Sequence, residues 1–197
     1  LELLRMANRT RAMLERALPA LLDGDRQDLN EVESMDDEID LLHGEISAYL
    51  GKIGEHRLSE RSTDEMLALM EAANELESIG DILETNVVGL GRTRIEQDIR
   101  VSSTTRDVLT EFHAGVAEAV DLAMMAVTQK NAEAARRVAG MKSAINSLER
   151  EALAHEAERL TADAPQRIAT YRFETDVVSN LKRVYYHAKR IARVAVP

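Results

Sequence analysis

Residues 25–54, DRQDLNEVESMDDEIDLLHGEISAYLGKIG, decide the fold. Leu29, Val32, Ile39, Leu42, Ile46 and Leu50 recur at the spacing of one helical face. Asp25 stands where an N-cap belongs, and Gly51 to Gly54 close the run. The stretch therefore predicts one amphipathic helix of about seven turns. Upstream, Leu3, Met6, Met13, Ala17 and Leu21 mark a first helix that stops at Asp23-Gly24-Asp25, with Pro19 as the place for a bend. Downstream, Ser59 caps a third helix carrying Leu67, Met70, Ala73, Leu76, Ile79, Leu83 and Val87, expected to end near Gly89 and Gly91.

The pattern then starts again after a stretch, Gly91 to Ser103, that reads as a linker. Leu109, Phe112, Val116, Val120 and Val127 mark a fourth helix that stops at Lys130-Asn131. Asn131 caps a fifth helix through Ala135, Val138, Met141, Ile145, Leu148 and Leu153. Asp163-Ala164-Pro165 ends that helix and opens a sixth, which runs to about Val194. Sliding the chain by 106 residues lays Asp25 on Asn131, Val32 on Val138, Met35 on Met141, Ile39 on Ile145 and Leu42 on Leu148. A shift of 105 lays Leu76 on Leu181 and Ile79 on Val184. The expected fold is all-α: two tandem antiparallel three-helix bundles, six helices in all, related by an internal repeat. The domain limits are residues 1–91 and 104–197, joined by a linker at 92–103.

Composition agrees with this and narrows the function. Of the 197 residues, 45% are hydrophobic, enough for a real core, while only 3% are aromatic and good helix formers abound. The formal charge of −10 disfavours a nucleic-acid partner, and no apolar run approaches the length of a membrane span. The absence of cysteine excludes disulfides, thiolate metal sites and thiol nucleophiles, leaving oxygen and imidazole as ligand chemistry. The chain opens on Leu1 without a signal-peptide pattern, as expected of a piece excised from a longer protein. No phosphate loop or nucleophile elbow is present, and the five histidines show no close ligand pairing, so nothing points to an enzyme.

Chemistry concentrates in two acid doublets spaced i, i+4: Asp36 with Asp40, which bracket Ile39, and Glu77 with Asp81, which bracket Ile79. Both flank the apolar stripe instead of opposing it, so four carboxylates can converge between the second and third helices. Each like-charged pair at 4 Å costs roughly 1 to 4 kcal/mol, so convergence demands a cation or raised pKa values. A hard, oxygen-liking metal satisfies that demand, and Ala73 with Gly80 lets the helices approach. Solvated acids on a bundle surface are the other reading of the same spacing. A ferritin-like di-metal site would need paired Glu-x-x-His motifs, and Asp40-Leu-Leu-His43 is the single loose approximation. In the second half the four positions hold Lys142, Asn146, Lys182 and Tyr186, so no such site survives there.

The segment Ala73-Asn-Glu-Leu-Glu-Ser-Ile-Gly-Asp81 resembles the signature of the PhoU family. Met35-Asp-Asp-Glu-Ile-Asp40 resembles its partner on the preceding helix, and Leu22-Asp-Gly-Asp25 the family's first turn. The resemblance implies that Asp36, Asp40, Glu77 and Asp81 bind a divalent or trivalent metal ion of the iron, zinc, manganese or magnesium class. A narrower resemblance, to the PhoU-like C-terminal domain of bacterial sodium/phosphate cotransporters, rests on Ser47-Ala-Tyr-Leu50, Leu58-Ser-Glu60, His155-Glu-Ala-Glu-Arg-Leu160 and Asp176-Val-Val-Ser-Asn-Leu-Lys-Arg-Val184 with His187. It implies a regulatory domain on the cytoplasmic side of the cell membrane, whose partner is the membrane-spanning phosphate transporter domain of the same chain. A freestanding PhoU-type phosphate-signalling adaptor is the alternative, and a structural bundle serving homo-oligomer formation is a third.

Overall fold

The computed structural model of the chain describes residues 1–160 and 167–194, with side chains for 1–154 and 167–194. Helix α1 (Glu2–Leu22) leads to a second arm made of α2 (Arg26–Ser34) and α3 (Asp36–Gly54). The third arm is α4 (Glu60–Asp81), a π-helical segment (Ile82–Val87) and α5 (Val88–Glu96). The second half repeats the plan with α6 (Ser103–Thr128), then α7 (Ala132–Gly140) with α8 (Lys142–Leu160), then α9 (Arg167–Val194). The two tandem three-helix bundles are thus present, and no strand occurs among the described residues.

The expected caps are in place. Asp25 accepts from the Gln27 and Asp28 amides, and Asp28 returns a bond to the Asp25 amide at 2.9 Å, a full capping box. Ser59 accepts from the Ser62 amide, and Asn131 from those of Glu133 and Ala134. Each cap is worth about 1 kcal/mol. The helix opening expected at Pro165 lies outside the described residues.

The repeat extends to the defects in the helices. The second arm of the first half is interrupted at Met35 and that of the second half at Met141, the two residues that the 106-residue shift superposes. In each, the methionine amide donates three residues back, to Val32 and Val138 respectively, while φ and ψ remain right-handed helical.

The linker is shorter than expected, because the third arm runs past Gly89 and Gly91 to Glu96. Gly91 is not a terminator. A Cβ there would lie 2.4 Å from Leu29 Cδ2, so the glycine lets α5 close on α2. The helix ends instead in a Schellman motif. Asp98 takes a left-handed φ of 49°, and the Ile99 amide bonds back to the Arg94 carbonyl at 2.9 Å.

The first and third arms of the two halves pack against each other, α1 on α6 and α4 on α9. Each second arm covers its own half, α3 lying on α1 and α4, and α8 on α6 and α9. One continuous apolar core results, from Met6 and Met13 through Leu76 and Ile79 to Phe112 and Val184. Polar pins cross between the halves. Arg11 Nε donates to Asp121 at 2.8 Å, and His113 Nε2 to the Leu14 carbonyl at 2.8 Å. On α4, Glu75 accepts from His187 Nδ1 at 2.6 Å and from Arg190 Nε at 2.7 Å. Burial lowers the His187 pKa, and the hydrogen bond to Glu75 opposes it. No helix of the described residues is long and apolar enough to cross a membrane.

Candidate metal centre

The acidic face forms where α3 begins, just after the Met35 interruption, and α4 gives way to the π-helical segment. Asp36, the first residue of α3, is 4% exposed, and its Oδ1 has no hydrogen-bond partner. It lies against Gly80 of α4, where a Cβ would come within 2.2 Å of that oxygen. The glycine therefore makes room for the carboxylate. Carboxylate oxygens of Asp36, Asp81 and Glu84 lie within 4.8 Å of one another.

Of the four acids expected from the spacing, the structure brings Asp36 and Asp81 into this trio. Asp40 and Glu77 lie around it, near enough for both to raise the Asp36 pKa. Burial first, then Asp40, Glu84, Asp81 and Glu77, push the Asp36 carboxyl from 3.8 up to about 7. Glu77 is also raised, chiefly by burial and then by Asp81, while His43 acts in the opposite sense. His43 is engaged elsewhere, its Nε2 lying 2.8 Å from Asn74 Oδ1.

Glu84 is the member that the doublet pattern omits. It continues the series Glu77, Asp81, Glu84 at i, i+4, i+7, so the signal was present. It belongs to the π-helical turn Ile82–Val87, and single π turns inside α-helices recur at functional sites. In the second half α9 passes through the matching region as uninterrupted α-helix.

The residues fit a cation. A buried carboxylate oxygen lacks a partner, two more carboxylates face it, and like charges at about 4 Å repel by roughly 4 kcal/mol per pair at an effective dielectric near 20. An all-oxygen donor set is of the kind that hard cations take. Asp36, Asp81 and Glu84 would hold it, and Asp40 and Glu77 would complete the negative field.

The second half holds different chemistry at the matching positions. The 105-residue shift puts Tyr185 on Gly80, and its ring is buried with the hydroxyl donating to the Val138 carbonyl at 3.1 Å. Lys182, at the position of Glu77, is ion-paired with Glu149 and sits 5.9 Å from the Tyr186 ring centroid. A lysine ammonium and a tyrosine ring occupy the positions that hold acids and an open cradle in the first half.

No curated protein sequence matches the chain. In three dimensions it is similar to the crystal structure of PhoU from Pseudomonas aeruginosa, with a TM-score of 0.89 and 21% sequence identity over 99% of this chain and 92% of that one. The sequence profile of the PhoU domain matches twice, over residues 3–87 and again over residues 109–195, one match to each half. The chain belongs to the PhoU domain family.

Proposed function

We propose that this chain is a PhoU-type phosphate-signalling adaptor, a cytoplasmic regulatory domain whose first half holds a hard metal ion. The observation that carries the reading is the seat of Asp36, a buried carboxylate with an unpartnered oxygen, kept open by Gly80 and faced by Asp81 and Glu84. A surface acid needs no such cradle. The adaptor reading is supported by the match of the PhoU domain to both halves and by a fold shared with PhoU from Pseudomonas aeruginosa. The carrier-attached reading stays as the second, supported by the resemblances at Ser47 to Leu50 and Asp176 to Val184.

The test is genetic. Deleting the gene should alter phosphate uptake and the response to phosphate starvation, and the wild-type gene should restore both. Asp36→Asn with Asp81→Asn should fold and yet fail to restore them. An unchanged deletion strain, or full restoration by the double variant, overturns the proposal. Recovery of the native polypeptide as an integral membrane protein would favour the carrier-attached reading.

A further inference from the structure

The internal repeat builds one surface twice and gives the two copies opposite charge. Where the first half carries Asp36, Glu77, Asp81 and Glu84, the second carries Lys142, Lys182, Tyr186 and Lys189. These cations are gathered in a chain whose net charge is −10, against the general field of the molecule.

Their partners divide them. Lys182 is taken by Glu149, and Arg190 and Arg193 are engaged by Glu75 and Glu71 of α4. Lys142, which is exposed, and Lys189, which is half-buried, pair with no carboxylate among the described residues. Tyr186, 36% exposed with Lys182 near its ring, and the exposed Arg183 stand with Lys189 on α9. Lys142 opens the neighbouring α8, which packs on α9, and the Tyr185 hydroxyl on the Val138 carbonyl ties this stretch of α9 to the turn just before Lys142. A tyrosine held in place by a neighbouring cation and flanked by uncommitted lysines has the make-up of an interface anchor. Tyrosine and arginine are over-represented among residues that dominate binding energy, and a rim of like charge selects the partner.

We propose that the face formed by Lys142, Arg183, Tyr186 and Lys189 docks an acidic, carboxylate-bearing segment of a partner protein. Charge complementarity names the occupant. The lysines require an anionic partner, and the exposed Tyr186 ring beside them favours a protein segment, whose carboxylates come with apolar atoms alongside. The partner's carboxylates would meet Lys142 and Lys189 while its apolar atoms cover the Tyr186 ring. In the first half the equivalent surface carries the acids Asp36, Asp81 and Glu84. The repeat thus supplies one face for an ion and one for a protein.

The experiment uses the whole chain and a fluorescein-labelled oligoglutamate peptide at low ionic strength, read by fluorescence anisotropy. Wild type should bind saturably, and Lys142→Glu with Lys189→Glu should weaken binding by about tenfold or more, as should Tyr186→Ala. Asp36→Asn with Asp81→Asn, which alters only the acidic face, should bind like wild type. All four residues are surface or half-buried, and circular dichroism with thermal melting checks that each variant folds. Absence of binding by wild type, or equal binding by the lysine variant, overturns the proposal. So does concentration-dependent self-association that the lysine variant abolishes, which would make a second copy the occupant, or anionic vesicles captured through the same residues.

Discussion

Replacing Gly80 by alanine separates the ion site from the stability of the fold. The new Cβ would lie 2.2 Å from Asp36 Oδ1 and 3.4 Å from Ile39 Cδ1, so the carboxylate has to move by roughly 1 Å. Metal ligands hold their distances to about 0.2 Å, and such a shift removes Asp36 as a ligand. Loss of a second-sphere partner alone costs about 10- to 100-fold in affinity, so displacing a direct ligand should cost about 100-fold or more. At a metal concentration about 100 times the wild-type Kd, binding stabilises wild type by about 2.7 kcal/mol, and the variant by about 0.4 kcal/mol. For a domain of this size that is a rise in Tm of about 5 to 11 °C against about 1 °C. Without metal the variant should match or exceed wild type, since alanine gains about 1 kcal/mol over glycine in a helix and the displaced carboxylate is relieved of burial. The assay is thermal melting with and without Mn2+ or Mg2+. Gly44→Ala is the control, because a Cβ at Gly44 meets nothing within 4 Å. A metal-dependent rise in Gly80→Ala equal to that of wild type would refute the placement of Asp36 in the site.

Three further perturbations test other parts of the account. In metal-free protein the folded-state Asp36 pKa of about 7, against 3.8 as its ordinary value, means that the folded chain retains a proton which the unfolded chain releases. Stability from this group is present at low pH and is lost as pH rises from about 4 through 7, by roughly 4 kcal/mol at most. Asp36→Asn should therefore gain on wild type with rising pH and level off above pH 7, and urea melts showing a pH-independent difference would contradict this. Gly91→Ala forces a methyl to within 2.4 Å of the buried Leu29 side chain, and overpacking should cost about 1 to 3 kcal/mol in urea unfolding. A variant as stable as wild type would show that α5 and α2 have slack. Glu75→Gln leaves His187 and Arg190 without their shared carboxylate between α4 and α9, and should destabilise by about 1.5 to 3 kcal/mol. An unchanged urea midpoint would mean the pin is idle.

Much of the fold was legible because helix ends carry chemical markers. Asp25, Ser59 and Asn131 act as caps where their side chains predict, and the shift that aligns Val32 with Val138 also aligns the interruptions at Met35 and Met141. The interruptions themselves left no trace, since both methionines keep a right-handed helical conformation and differ from their neighbours only in an amide bond three residues back, which at Met141 stands beside the ordinary bond to the Arg137 carbonyl. Gly91 was misleading for a physical reason. Glycine ends helices through positive φ and also permits close approach of two helices, and only the position of Leu29 distinguishes the two uses. In the site, Asp36, Asp81 and Gly80 were visible as a converging set, whereas Glu84 was lost by reading i, i+4 pairs without following the face one turn further. The π turn that holds it depends on i, i+5 bonding, which no residue type announces. The inversion of charge in the second half could be read from Lys142, Lys182 and Tyr186. That Tyr185, at the position matching Gly80, is buried with its hydroxyl on the Val138 carbonyl required the packing.

The most direct measurement of the central claim is the metal content of protein purified without chelator, determined by elemental analysis for wild type and for Asp36→Asn with Asp81→Asn. The account predicts bound metal in wild type, little in the acid variant, and full retention in a Lys142→Ala variant of the second half. Equal and near-zero metal in wild type and the acid variant would contradict it, and the acids would then be an ordinary charged surface.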